Sequence, residues 1–481
     1  MVYASKLLIN GELVSPVGGG TLEVEDPFNG RVIAHVPAGD AADINRAVES
    51  AHDCFRRGDW LRLAPADRAM AMWKLADLIA VHVDELAALD VVDNGMPMVF
   101  AKATVNSCVS TLRYYAGYCT KINGVSFDLS GNGRELQAYT RQEPVGVVGA
   151  ITPWNAPLAV VVNKIAPAIA AGCTVVVKPA EQTPLSSLRF AELAARAELP
   201  RGLINIVTGY GTTAGSALSN HSDVDKLTFT GSTAVGKTLV QAAAGNLKRL
   251  TLELGGKSPV FVFDDADLER AIPACAMAIF ANSGQVCFAG SRLYIQRKRF
   301  NEVVERVGKA AKAIRLGSGM DPATQLGPLV SGKQMVRVLE YIESGASEGA
   351  ELIVGGQRHG EQGYFVEPTV FANPQSKSMR ITQEEIFGPV LVAMPFEDLD
   401  EVEALANDTP FGLGSGVFTS NVSVAHKVAS RIRAGNVWIN CYGVLDKSMP
   451  FGGYKQSGWG REQGAAGIEA FLETKAVYTM L

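Results

Sequence analysis

One of the seven cysteines stands apart from the others. Cys287 lies in Phe280-Ala-Asn-Ser-Gly-Gln-Val-Cys-Phe-Ala-Gly290, among small, flexible and polar residues. A structural thiol is usually packed in aliphatic side chains. A thiol with amide and hydroxyl donors beside it, and room for a ligand, reads as a nucleophile. The alternative, a core cysteine at the end of an element, is the commoner fate of a lone cysteine. Glu253 is a single carboxylate in the apolar stretch Leu252-Glu-Leu-Gly-Gly-Lys-Ser-Pro259. Desolvation there lifts its pKa toward neutrality and makes it a usable general base, against the ordinary fate of a solvated or ion-paired glutamate. Asn155 lies between two prolines in Thr152-Pro-Trp-Asn-Ala-Pro157. An amide on so rigid a turn can donate to a developing oxyanion, or simply shape the turn.

These side chains need a scaffold, and the chain alternates β-branched runs with Ala-rich segments. Strands are expected at Val145–Ile151, Thr174–Lys178, Ile204–Val207 and Lys226–Thr230, with helices over Ala159–Ala171 and about Ser186–Ala197. Continuous apolar strands separated by helices predict a parallel sheet covered on both faces, an α/β domain of Rossmann type. The same alternation after Cys287, with strands near Leu293–Ile295 and Gly416–Phe418 and a helix over Phe300–Ile314, predicts a second α/β unit. Turn signals at Asn123-Gly124 and Gly131-Asn132-Gly133 flank strand-like Gln137–Arg141, so a hairpin is expected. With strand-like Glu473–Met480 it offers exposed edges for another subunit.

At 481 residues, two or three domains are expected. With 47% hydrophobic and 19% charged residues the composition is that of a packed globular enzyme. A net charge of −5 without a long basic run disfavours nucleic acid. The scattered cysteines, at 54, 108, 119, 173, 275, 287 and 441, include no C-x-x-C pair. They argue against a disulfide framework or a zinc site and for a reducing compartment. No signal peptide is visible at the start, so a cytoplasmic location is expected. Leu158–Val177 imitates a membrane span, but it holds Asn163, Lys164 and Pro167 and breaks at Gly172. It reads better as a buried helix followed by a buried strand, and no membrane association is expected.

Two loops are candidates for phosphate. Gly209-Tyr-Gly-Thr-Thr-Ala-Gly215 misses the dinucleotide fingerprint by one position, whereas Phe229-Thr-Gly-Ser-Thr-Ala-Val-Gly236 places a turn before a helix N-terminus. Either can equally be a strand-to-helix turn that needs glycine for its backbone.

Taken in order, Pro153-Trp-Asn155, Lys178-Pro-Ala-Glu-Gln-Thr-Pro184, Phe229-Thr-Gly-Ser232, Glu253-Leu-Gly-Gly-Lys257, Asn282-Ser-Gly-Gln-Val-Cys287, Glu385-Ile-Phe-Gly-Pro389 and Pro450-Phe-Gly-Gly-Tyr-Lys455 resemble the aldehyde dehydrogenase superfamily over essentially the whole chain. The resemblance implies NAD(P)-dependent oxidation of an aldehyde to the acid. Cys287 would be the nucleophile that forms a thiohemiacetal and then a thioester, Glu253 the base for hydrolysis, and Asn155 an oxyanion donor; no metal is implied. Lys178 and Glu181 resemble the adenosine-ribose contacts, and a carboxylate at Glu181 favours NAD over NADP. Gly231 and Ser232 match the pyrophosphate turn, Glu385 the nicotinamide-ribose contact, and Phe387 the residue beside the ring. Ile151, Trp154, Leu254 and, near the adenine, Gly211 complete the implied cofactor set. The implied domains are an NAD-binding domain (1–122 and 145–254), a catalytic domain (255–465) and an oligomerisation element (123–144 and 466–481) of a homodimer or homotetramer.

Many relatives carry large aromatic residues at the positions of Ala156, Asn163 and Ala281. With Val160 beside these small residues, and Trp154, Phe288 and Phe451 as apolar walls, a widened tunnel for a bulky aromatic or terpenoid aldehyde is expected. No arginine stands out to bind a distal carboxylate, which argues against a semialdehyde acid. The rivals are a CoA-acylating semialdehyde dehydrogenase, a branch that typically lacks the general-base glutamate, and a non-catalytic NAD-binding relative, which would be expected to lose Cys287 or Glu253.

Overall fold

The computed structural model describes residues 6–129 and 136–480. The turn at Gly131-Asn132-Gly133 and the first five residues of the chain lie outside them. Val147–Ile151, Thr174–Lys178, Ile204–Ile206, Lys226–Thr230 and Arg249–Glu253 form the parallel core of the first sheet. Chain order is not spatial order. Val147–Ile151 lies in the middle, with Thr174–Lys178 and Ile204–Ile206 to one side and Lys226–Thr230 and Arg249–Glu253 to the other. The order therefore reverses between Val147–Ile151 and Lys226–Thr230, and a crevice opens at the carboxyl ends of such strands.

The helix Pro157–Ala171 fills the space behind this sheet, packed by Pro65–Val81 and Met98–Ala116. Pro at its first position needs no N–H partner, and Gly172 ends it in the left-handed region at φ 103°. Most of this helix, and all of Thr174–Lys178, is buried, so the apolar run that imitates a membrane span is interior packing. Among the described residues no helix is long and apolar enough to cross a membrane.

The second sheet contains Pro259–Val262, Arg292–Gln296, Thr369–Ala372, Val390–Phe396, Gly414–Phe418 and Asn436–Ile439, all parallel, with Glu351–Val354 antiparallel at one edge. Alternate side chains of one strand enter different cores: Val260 and Val262 pack on one face, Phe261 on the other. The chain then returns, and Gly458–Trp459 pairs antiparallel with Leu252 and Glu253. This pairing ties the interval 255–465 back onto the first sheet beside Glu253. A third sheet joins Ser126–Asp128, Leu136–Pro144 and Leu472–Met480. The expected hairpin is present there.

Candidate active site

A crevice of about 320 Å³ lies where the first sheet reverses its order. Asn155, Glu253 and Cys287 all line it, although they are far apart in sequence. A larger hollow of about 700 Å³ lies against the helix Phe300–Lys312 and the strand Glu351–Val354, but it contains none of the three. The three candidate side chains converge in the smaller space.

Cys287 follows a backbone held in an unusual shape. Asn282, Ser283 and Gly284 all have positive φ, at 47°, 56° and 71°. Such conformations cost free energy for residues with a Cβ and persist only where their surroundings fix them. Here Ser283 Oγ donates to Gly327 O at 2.7 Å, and Val330 N donates to Gln285 Oε1 at 2.9 Å. Asn155 locks the loop from the other side: its Nδ2 donates to Gln285 O, and Asn282 Nδ2 donates to Asn155 O, each at 2.9 Å. The second N–H of that amide is left to the crevice.

The glycine pair after Glu253 lets this loop come close. A Cβ on Gly256 would fall 2.2 Å from the Cys287 carbonyl oxygen. Backbone cannot yield as a flexible side chain does, so Gly256→Ala is expected to cost about 1–3 kcal/mol through forced displacement. Thermal unfolding checks this; an unchanged midpoint would contradict the tight approach.

Burial and the nearby charges of Glu253 and Glu385 hold the half-buried Cys287 thiol above its usual pKa. Burial also raises Glu253, whose two carboxylate oxygens have no hydrogen-bond partner, and the charge of Glu462 raises it further. Lys164 and Arg461 oppose that rise. Lys164, with its side chain fully buried, donates to Glu462 Oε1 at 2.6 Å and to Thr228 Oγ1 at 3.1 Å. Glu253 thus sits beside a buried acid–base pair. In the sequence Lys164 only interrupts an apolar run; its partner Glu462 arrives from 298 residues away.

The residues assigned to a dinucleotide divide into groups. Trp154, Gly231, Ser232, Leu254, Glu385 and Phe387 line the crevice itself. Ser232 caps the helix Thr233–Ala243, accepting from Val235 N at 3.3 Å. Glu385 accepts from Gly256 N at 2.9 Å, and burial pushes its carboxyl up to about 7. The Trp154 and Phe387 rings meet edge to face at 5.2 Å, which sets Trp154 beside Phe387 in the crevice. Ile151 ends the strand that leads into it. Lys178 and Glu181 pair at 2.8 Å, and Glu181 and Tyr210 line a neighbouring hollow of about 210 Å³. Gly211 begins one turn of π-helix that leads into Ser216–Asn220, and a Cβ there would meet no atom within 4 Å. The structure adds Lys333, Gln334 and Arg337 to the crevice wall, where Gln334 Nε2 donates to Phe387 O at 2.8 Å and Arg337 donates to Glu385 O at 2.6 Å. Their helix, Gly332–Ser347, carries no motif that singles them out.

Of the residues expected to line a substrate tunnel, Trp154 lies in the crevice with Cys287, and the others are absent from its lining. Ala156, Val160 and Asn163 form a half-buried stripe at the start and along one side of the otherwise buried helix Pro157–Ala171. Phe288 packs against Phe451 at 5.7 Å and against Trp438, an aromatic wall missed in the sequence, at 5.5 Å. Ala281 is half-buried in the turn before the positive-φ residues.

Comparison with known proteins agrees with this arrangement. The model of the aldehyde dehydrogenase family matches residues 14–477. An aldehyde dehydrogenase of Enchytraeus buchholzi is 50% identical over 482 residues, covering 99% of this chain and 96% of that protein. The phenylacetaldehyde dehydrogenase of Pseudomonas fluorescens is 46% identical, covering 98% of this chain and 95% of that one. The solved NAD+ complex of a Bacillus cereus aldehyde dehydrogenase superposes with a TM-score of 0.97 at 47% identity, covering 99% of this chain and 96% of the other. Both the geometry and these likenesses lead to one conclusion: the chain belongs to the aldehyde dehydrogenase family and is an aldehyde-oxidising enzyme.

Proposed function

We propose that the protein oxidises a bulky aldehyde to the carboxylic acid with NAD, through a thioester on Cys287. The observation that carries this reading is the convergence of Cys287, Glu253 and Asn155 in one crevice. Burial and two carboxylates keep the thiol protonated in the free enzyme, and its proton passes to solvent as the sulfur adds to the aldehyde. Glu253, with both oxygens unpartnered, is the base for the later hydrolysis. The Cys287 sulfur adds to the aldehyde carbon, and the second N–H of Asn155 faces the oxygen that gains charge. NAD, which Gly231, Ser232 and Glu385 would hold in the crevice, would supply the acceptor for the hydride that leaves this carbon. Glu253 then takes a proton from water as the water attacks the thioester and passes it to the departing Cys287 sulfur, so the acid leaves with the thiol restored.

The chain fits such a cofactor. The reversal of strand order supplies the crevice, the helix Thr233–Ala243 presents its N-terminal amides behind Gly231 and Ser232, and the buried Glu385 carboxylate can accept ribose hydroxyls. Glu181, although paired with Lys178, favours a ribose hydroxyl over a 2′-phosphate. Turnover with NAD is therefore expected to exceed that with NADP, as absorbance of the reduced cofactors will measure.

Asn155→Ala removes the side-chain oxyanion donor and is expected to lower kcat roughly 100- to 1,000-fold with the fold intact. A kcat within about threefold of wild type, judged against that range, would remove Asn155 from this role. Glu462→Gln deletes a charge that raises Glu253, so the acid limb of the pH–rate profile should move to lower pH. A shift in the opposite direction would contradict the coupling.

The small residues Ala156 and Ala281 and the rings of Phe288, Trp438 and Phe451 support a wide apolar passage, and the similarity to a phenylacetaldehyde dehydrogenase agrees with an aromatic substrate. An aldehyde panel tests this: preference for acetaldehyde over aryl aldehydes would sink it. Residues 1–122 and 145–254 would form the NAD-binding domain and 255–465 the catalytic domain, which lends Glu385 and Phe387 to the cofactor. The three-stranded sheet, whose outer strands expose Phe127, Tyr478 and Met480, would join copies into a homodimer or homotetramer.

A further inference from the structure

Asn155 sits in a segment that regular structure leaves unsupported. Between the strand Val147–Ile151 and the helix Pro157–Ala171, residues 153–155 make no backbone-to-backbone hydrogen bond among the described residues. Side chains hold them instead. The Asn155 carbonyl accepts from Asn282 Nδ2, and the Trp154 carbonyl accepts twice, from Asn94 Nδ2 at 2.8 Å and from Thr183 Oγ1 at 3.2 Å. Trp154 O belongs to the planar peptide that enters Asn155, so both donors fix the backbone from which the Asn155 amide projects.

Asn94 ends the helix Val83–Asn94 and is fully buried, and its amide oxygen has no partner among the described residues. Turning the amide over would set its oxygen against the Trp154 carbonyl oxygen, so only the observed orientation bonds. Beside it, Asp93 Oδ2 accepts from Leu185 N at 3.0 Å, which ties the end of this helix to the start of Leu185–Ala195, just beyond Thr183. The two donors to Trp154 are thereby held in one frame. The next turn reaches the nucleophile loop. Gly95 leaves the helix at φ 88°, and a Cβ on Gly327 would fall 1.9 Å from the Gly95 carbonyl oxygen. Gly327 O in turn accepts from Ser283 Oγ, ahead of Cys287. One helix end thus braces both the Asn155 segment and the loop that carries the thiol. Asn94 itself is absent from the crevice lining, so its effect on the reaction must pass through Asn155.

We propose that Asn94 is a positioning residue for the oxyanion donor: assisted by Thr183, it holds the Trp154–Asn155 peptide so that the free N–H of Asn155 meets the oxygen of the carbon that Cys287 attacks. The inference rests on the reading of Asn155 as that donor. A preorganised donor stabilises the transition state only where it stands in line, and misplacement by about 1 Å can cost roughly a hundredfold in rate.

The test is a cycle of four proteins, wild type, Asn94→Leu, Asn155→Ala and the double variant, assayed for kcat with an aryl aldehyde and NAD. Asn94→Leu keeps the side-chain volume and removes the donor. It is expected to lower kcat roughly tenfold, with KM and NAD affinity within about twofold of wild type. In the Asn155→Ala background the same substitution should change kcat by less than about twofold, because no donor is left to aim. A merely structural residue would lose the same factor in both backgrounds. Equal losses, or no loss beside Asn155, overturn the proposal. Thr183→Val deletes only the second donor and is expected to cost roughly two- to fivefold, again only where Asn155 is present. It decides the matter by the same comparison if Asn94→Leu does not fold. If Asn155→Ala itself leaves kcat unchanged, the oxyanion reading fails and this one with it, a result distinct from equal losses beside an impaired Asn155→Ala.

Discussion

Cys287→Ala is expected to lower aldehyde-dependent cofactor reduction by at least about a thousandfold, because no other group in the crevice can form the covalent intermediate. The other six cysteines offer no substitute. Five are buried in the cores, and Cys441 lies outside the crevice lining. The loop should keep its shape without the thiol, since Asn155, Gln285 and Ser283 hold it through their own hydrogen bonds. Cofactor binding should therefore survive, and retained binding with lost turnover separates a missing nucleophile from a collapsed site. A variant that oxidised aldehyde at the normal rate would refute the assignment.

Glu253→Gln should have a different signature. The amide fills the same space but cannot take a proton from water, so the thioester forms and persists. One equivalent of reduced cofactor per site is expected in a burst, followed by turnover roughly 100- to 10,000-fold below wild type. The pH dependence follows from the direction of the Glu253 shift. Its pKa stands above the ordinary carboxylate value, so the group is neutral and inactive at low pH. Wild-type hydrolysis should rise as pH climbs through that raised value, and the variant should lack this limb. Stability runs the other way: a carboxylate with a raised folded-state pKa destabilises the fold as pH rises from the unfolded value through the folded one. Glu253→Gln should therefore gain stability relative to wild type with increasing pH, as unfolding midpoints at several pH values will measure.

The strands were the most legible part of the chain. Thr174–Lys178 and Lys226–Thr230 appear at the predicted residues, because five-residue β-branched runs buried on both faces admit little else. Helix ends were less sharp: Pro157–Ala171 begins two residues earlier than its composition suggested, at the proline. Cys287, Glu253 and Asn155 were legible as types in unusual surroundings, and the crevice has now brought them together. What stayed hidden is what long-range contacts create. Lys164 has meaning only beside Glu462, and the antiparallel return of Gly458–Trp459 beside Glu253 has no local signal.

The account stands on Cys287 carrying the acyl group and Glu253 releasing it. The most direct measurement is mass spectrometry of Glu253→Gln protein quenched after mixing with NAD and an aryl aldehyde. The expected result is an acyl adduct on the peptide containing Cys287, in step with one reduced cofactor per site. Cofactor reduction without any adduct on that peptide, or an adduct on another cysteine, would contradict it.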